Sequence, residues 1–83
     1  MKLENNKLEE FLATSTEEKK IKFIMGILMD LEISDENIIG ILSMLETEEN
    51  FDEMIRYLVC TPTLTEEKVV KALILITRKS YDE

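Results

Sequence analysis

The chain of 83 residues contains no histidine and a single cysteine, Cys60. Histidine is the most frequent general base at neutral pH and the commonest metal ligand, so its absence removes the usual designs of both kinds of site. One cysteine cannot form an internal disulfide or supply the ligand spacings of a zinc site. The sequence therefore predicts no catalytic residue, no metal site and no cofactor. Cys60 follows an apolar stripe and is predicted to be a buried, unreactive thiol.

Turn-forming residues are also scarce, with two glycines and one proline in the whole chain. This leaves little material for β-hairpins, whereas Leu, Ile, Glu, Lys and Met are abundant and favour helices. Phosphate-binding loops and the Gly-x-Ser-x-Gly motif require glycines at fixed spacings, and the sequence contains neither motif. We therefore expect an all-α protein that forms one domain over residues 1–83 and is not an enzyme.

Basic residues are outnumbered, because 10 Lys and Arg stand against 18 Asp and Glu, which gives a net charge of −8. Direct binding to nucleic acid or to an anionic membrane normally uses a basic surface, so neither is expected as a direct partner. The apolar runs are too short to cross a bilayer, and the first residues carry acid where a secretion signal carries base. These features predict a cytoplasmic protein whose partner is another protein or a second copy of itself, as in a homodimer.

A helix-start signal, a hydroxyl residue followed by two acids, occurs four times, at Thr16, Ser34, Thr47 and Thr65. The hydroxyl can accept from a free backbone N–H, and the acids complement the positive end of the helix. Thr16 and Thr47 are 31 residues apart, and so are Ser34 and Thr65. Periods of this size are typical of helical repeats. We predict two tandem helical hairpins, residues 16–46 and 47–79. The two helices of each hairpin lie within about 17–46 and 48–79.

An ungapped alignment of residues 16–46 with 47–77 supports this repeat, although any two helical hairpins share capping residues and apolar spacing. Six aligned pairs are identical: Thr16/Thr47, Glu17/Glu48, Glu18/Glu49, Ile24/Ile55, Glu36/Glu67 and Leu42/Leu73. The predicted helices are 17–32, 35–46, 48–60 and 66–79. A further short helix within residues 1–13 should dock through Leu8, Phe11 and Leu12, and residues 80–83 form a tail. The complete prediction is a compact bundle of five short helices.

Two of these helices have apolar residues on more than one face, along residues 21–31 and 69–76. The stretch 21–31 is apolar nearly all round, so we predict that it is buried on several sides at the centre of the fold. Helix 48–60 instead has one apolar stripe, with Asp52, Glu53 and Arg56 facing away from it. Gly26 and Gly40 lie inside helices, where glycine is unfavourable. Four explanations for such glycines are open: neutral drift, close helix contact, a hinge or a notch that docks a partner.

The apolar surface in excess of one core predicts a small non-enzymatic protein-interaction module, such as an adaptor, regulator or inhibitor. Methionines can line adaptable grooves for partner helices, although core packing is their commoner role. The candidate partner surface consists of Met25, Met29, Met44, Met54 and Leu75. The alternative is an acidic inhibitor or nucleic-acid-mimicking decoy that binds a basic protein surface. Eight acids belong to the four helix starts, which favours helix stabilisation as their role over mimicry.

Overall fold

The computed structural model describes residues 5–79, which form five helices and no strand. The helices are α1 (Asn5–Thr14), α2 (Glu17–Asp30), α3 (Asp35–Leu45), α4 (Glu48–Cys60) and α5 (Glu66–Lys79). The predicted all-α bundle of two tandem hairpins and an N-terminal helix is therefore confirmed. The predicted start of the first helix and the predicted tail at 80–83 lie outside the described residues. No helix in the described part has the length and apolar character needed to cross a bilayer.

The four predicted capping residues all act as caps. Each hydroxyl accepts a hydrogen bond from the backbone N–H three residues further on, which satisfies one free donor of the first turn. The pairs are Thr16 with Lys19 (3.2 Å), Ser34 with Asn37 (3.4 Å), Thr47 with Asn50 (3.2 Å) and Thr65 with Lys68 (3.2 Å). The local sequence therefore fixes where α2, α3, α4 and α5 begin.

Helix α2 ends two residues earlier than predicted, because Glu32 takes a left-handed conformation with φ of 62°. The Ile33 N–H donates to the Leu28 carbonyl at 3.2 Å, and the Glu32 N–H donates to the Met29 carbonyl at 2.9 Å. This is the Schellman arrangement, which normally has glycine at the left-handed position. It turns the chain so that Ile33 becomes buried.

Helix α3 also ends one residue early, and the reason is a tight turn at Glu46. Glu46 has φ of 62° and ψ of −46°, and the Thr47 N–H donates to the Leu45 carbonyl at 2.7 Å. This is a γ-turn of the strained kind. The side-chain amide of the buried Asn50 also donates to the Leu45 carbonyl, at 2.7 Å. One carbonyl thus holds the junction between the two hairpins.

The two hairpins pack side by side, so that α2 contacts α4 and α3 contacts α5. The ammonium of Lys20 in α2 lies 3.0 Å from Glu48 at the start of α4. At the other end, the side-chain amide of Asn37 in α3 donates to Glu66 at the start of α5, at 3.1 Å. The starts of α2 and α4 therefore meet, and so do those of α3 and α5.

The 31-residue offset of the sequence persists in the structure. Helices α2 and α4 begin at Glu17 and Glu48, and helices α3 and α5 begin at Asp35 and Glu66. Equivalent positions in the two hairpins are buried together, at Ile24/Ile55, Ile38/Val69, Ile41/Ala72 and Leu45/Ile76. Each hairpin thus contributes the same faces to one shared core.

The stretch 21–31 is not the buried centre that its composition predicted. Within α2 only Lys20, Ile24 and Leu28 are buried, and Met29 is 57% exposed. The reason is that α3 and α4 pack on one side of α2 and α1 contacts it at Phe23, and these contacts leave Gly26 and Met29 exposed. Among the described residues, helix α4 instead has the largest number of buried positions, and it packs against α2 and α5. Its buried residues are Asn50, Phe51, Met54, Ile55 and Leu58.

Helix α1 docks on the hairpins as predicted, with Leu8 and Leu12 buried. The ring of Phe11 packs against the ring of Phe23 in α2, with centroids 5.0 Å apart. The guanidinium of Arg56 in α4 donates two hydrogen bonds to the carboxylate of Glu9, at 3.0 and 3.1 Å. These contacts tie α1 to both hairpins.

Candidate functional site

Four of the five residues predicted to form a partner surface are accessible, and one is not. Met29, Met44 and Leu75 are 57%, 52% and 64% exposed, and Met25 is partly buried. Met54 is fully buried, so its prediction as a surface residue is wrong. It lies on the same helical stripe as the other core residues of α4, which gives it a packing role. That the remaining four residues form a partner surface stays a prediction.

Six large hydrophobic side chains of the described residues are exposed although the core is well formed. They are Met29, Ile39, Met44, Val70, Ile74 and Leu75. Four of them form two repeat-related pairs, Ile39 with Val70 and Met44 with Leu75. Both hairpins therefore leave the same positions uncovered.

A shallow groove of about 300 Å³ lies between α4 and α5 and includes one of these six residues, Leu75. Tyr57, Ala72, Leu75 and Ile76 provide most of its apolar lining, and Glu53 and Arg56 provide charge at its edge. Leu75 lines the groove and is the most exposed of the large hydrophobic side chains among the residues that the structure describes. Tyrosine and arginine are enriched among the residues that dominate protein interfaces, and both occur here.

The charged residues of the groove are Glu53 and Arg56, which lie on α4 and have opposite signs. Arg56 is paired with Glu9 of α1. The α5 side contributes only the apolar residues Ala72, Leu75 and Ile76 to the lining. The groove is therefore apolar along α5 and mixed in charge along α4.

Neither glycine is required by close packing within the chain. A Cβ atom built on Gly26 or on Gly40 meets nothing within 4 Å, and neither residue has a positive φ. Of the four predicted explanations, close helix contact inside the chain is therefore excluded. Both glycines are exposed, and Gly40 lies on the same helix as the exposed Ile39 and Met44.

The buried ion cluster at Lys20 was not predicted from the sequence. Its side chain is 3% exposed, and its ammonium lies 2.8 Å from Asp52 and 3.0 Å from Glu48. Burial lowers the pKa of Lys20, but the hydrogen bonds to Asp52 and Glu48 outweigh that effect and leave the pKa raised. Asp52 was predicted to face away from the core, yet its Oδ1 is buried against Lys20. The available signal was the repeat, which aligns Lys20 with the buried Phe51.

The prediction for Cys60 is also wrong, because its side chain is exposed at the last turn of α4. The stripe of α4 ends at Leu58, and Cys60 lies two residues later, on the outer side of the helix. Its repeat-equivalent position is the exposed Met29. Within residues 5–79, no three Cys, Asp or Glu residues are arranged to hold a metal ion.

Together these elements define an all-α bundle of two stacked helical hairpins with an added N-terminal helix. Comparison of the chain with protein-family models, curated proteins and solved structures finds no match. Its function is therefore argued from its own surface.

Proposed function

We propose that the chain is a small non-enzymatic protein-interaction module, an adaptor, regulator or inhibitor, that binds through its apolar helical surface. The observation that supports this is the exposure of six large hydrophobic side chains beside a complete core. Single exposed hydrophobic residues are normal, but repeated exposure at equivalent positions of two hairpins indicates a shared surface. Of the predicted partner surface, Met29, Met44 and Leu75 are among these six exposed side chains, and Met25 is partly buried.

Affinity capture from the cells that express the chain tests this proposal. The variants replace one exposed hydrophobic residue at a time with lysine, at Met29, Ile39, Met44, Ile74 and Leu75. Ser43→Lys is the matched control, because Ser43 is exposed and is the repeat equivalent of Ile74. It adds the same charge without removing an apolar contact.

The expected result is that a bound protein is lost from one or more of the hydrophobic variants and retained by Ser43→Lys. Capture that is lost equally from the control, or kept by all five variants, would contradict binding through this surface. Far-ultraviolet circular dichroism of each variant confirms that the helices are retained.

The alternative function, an acidic decoy for a basic protein surface, rests on the net charge of −8. Two of the acids at helix starts have contacts within the fold, since Glu48 contacts Lys20 and Glu66 contacts Asn37, and this favours a structural role for them. A decoy complex would dissociate as salt is raised, because exposed charges are screened within about 10 Å at 0.1 M salt. A complex held by apolar side chains would persist in the same elution.

A further inference from the structure

We infer that the turn between α3 and α4 is a hinge, and that opening it lets two copies of this chain exchange their second hairpins in a swapped dimer. In this dimer, the first hairpin of one copy packs against the second hairpin of the other. A second copy is selected as the partner because it carries the same hairpin that already forms this interface within one chain. The inference is independent of the proposed partner surface, which the exchange does not use.

The turn between α3 and α4 is short and strained. It consists of Glu46 and Thr47, and Glu46 holds φ of 62° and ψ of −46°, which costs free energy in a residue with a side chain. Neither position has the glycine or proline that normally specifies a turn. Opening the turn releases this strain and lets α3 and α4 continue as one helix. Short strained connections of this kind favour exchange between copies.

Opening the turn costs few contacts within the chain. Helices α3 and α4 each pack on α2 and α5, and among the described residues they share little contact with each other. The bonds that open are those at the Leu45 carbonyl, which accepts from the Thr47 N–H and from the Asn50 side-chain amide, each at 2.7 Å. In a continuous helix, the same carbonyl accepts from the N–H of Glu49 instead. The buried Asn50 amide is therefore the clamp that holds the turn closed.

The contacts between the two hairpins form again between the two copies. Lys20 of one copy pairs with Asp52 of the other, and Asn37 pairs with Glu66 in the same way. Helix α1 stays with the first hairpin of its own chain, so its contact with α4 also joins the two copies. The dimer therefore needs no new surface, and its population depends on the turn and on the concentration of chain.

Refolding of the full chain from urea tests the exchange, with the mass measured by size-exclusion chromatography and light scattering. It is carried out at about 5 and about 500 μM, because the higher value approaches the millimolar effective concentration of the tethered second hairpin. Reducing buffer prevents a disulfide at the exposed Cys60. We expect a dimer fraction that grows with concentration and persists after dilution, because its return requires the hairpins to separate.

Substitutions at the turn should change this dimer in opposite directions. Glu46→Gly should weaken it by at least about tenfold, because glycine adopts a positive φ without the cost and two turns open per dimer. Asn50→Ala should increase it, since it removes the clamp on the closed turn. Glu32→Gly is the matched control, because Glu32 also has φ of 62° but lies inside the first hairpin, where its turn is the same in monomer and dimer. It should leave the dimer fraction unchanged.

A mixing experiment identifies which segments are exchanged. Lys20→Met and Asp52→Leu each leave a mismatched ion cluster within one chain. A swapped dimer of these two variants combines one native ion pair with one apolar Met–Leu contact. Native mass spectrometry after co-refolding should therefore show more mixed dimer than random pairing gives.

The matched control mixes the unchanged chain with the Lys20→Met/Asp52→Leu double variant. Its mixed swapped dimer contains two mismatched clusters, so this dimer should be depleted below random pairing. Random pairing in both mixtures would show that the copies associate without exchanging hairpins.

A chain that refolds only as a monomer at the higher concentration would overturn the inference. A dimer that dissociates at once on dilution would also overturn it, because surface contact alone re-equilibrates in this way. Equal suppression by Glu46→Gly and Glu32→Gly would contradict a hinge at Glu46.

Discussion

The ammonium of Lys20 lies 2.8 Å from Asp52 Oδ1, and this contact joins the starts of α2 and α4 across the boundary between the two hairpins. Asp52 Oδ1 is buried, and no other hydrogen-bond donor among the described residues reaches it. Lys20 occupies the position that corresponds to the buried Phe51 in the second hairpin. The two hairpins therefore differ at this core position, where the first has an ion cluster and the second has an aromatic ring.

We predict that Lys20→Met lowers the free energy of unfolding by about 1–3 kcal/mol, because it leaves the Asp52 carboxylate without its counter-charge. The partial exposure of Asp52 and Glu48 keeps the effect below that of a fully buried pair. Urea denaturation measures it. Lys20→Met combined with Asp52→Leu should recover part of the loss, because no uncompensated buried oxygen remains. A single variant as stable as the unchanged chain would contradict the importance of this pair.

The pairing of Glu9 with Arg56 predicts that α1 undocks in acid. The hydrogen bonds from Arg56 hold the pKa of Glu9 below its ordinary value of 4.5. A carboxylate with a lowered pKa stabilises the fold above its unfolded pKa, and this contribution is lost as pH falls through the folded pKa. Hydrogen-exchange protection factors of α1 should therefore fall below pH 4.5. In Glu9→Gln, protection should be lower at neutral pH and change less with acid. An identical pH profile in both chains would show that the pair does not hold α1.

Gly26→Ala and Gly40→Ala should each raise the free energy of unfolding by about 0.5–1 kcal/mol. Alanine has the higher helix propensity, and its Cβ meets no neighbour at either position. Thermal or urea denaturation measures the change. A loss of stability at Gly40 would indicate a packing requirement that the open surroundings do not suggest. If Gly40 is a notch for a partner, Gly40→Ala should increase stability and reduce affinity capture in the same chain.

Glu32→Gly should stabilise the fold by about 0.5–1 kcal/mol. A left-handed conformation costs a residue with a side chain roughly 1–2 kcal/mol, and part of that gain is lost to the greater freedom of glycine in the unfolded chain. Glu36→Gly is the matched control, because it makes the same change at an exposed position inside α3 and should lose up to about 1 kcal/mol. Equal losses in both variants would contradict the conformational strain at Glu32.

Local sequence signals predicted the elements of the fold more reliably than the places where they end. The caps at Thr16, Ser34, Thr47 and Thr65 marked four helix starts, because a cap depends on neighbouring residues only. The helix ends at Glu32 and Glu46 were missed, because both residues adopt a positive φ that glycine normally marks. The chain direction after each helix, not residue preference, determines these conformations.

The candidate partner surface also depended partly on local sequence and partly on tertiary packing. Apolar spacing identified Leu75 and Met54 equally, yet Leu75 is 64% exposed and Met54 is fully buried. Helical periodicity defines which residues share a face, but the positions of the neighbouring helices decide which faces are covered. Helices α4 and α5 each pack against two other helices. Met54 lies on the covered face of α4, whereas Leu75 lies on a side of α5 that stays accessible.

The sequence by itself determined an all-α chain, the starts of four helices and a 31-residue relation between two hairpins, because capping and periodicity are local properties. Only the tertiary structure decided that α4 buries more residues than α2, that Lys20 is buried and that Cys60 is exposed. These outcomes depend on how the hairpins pack against each other, which brings together residues 28 to 47 positions apart, such as Lys20 with Glu48 and Glu9 with Arg56.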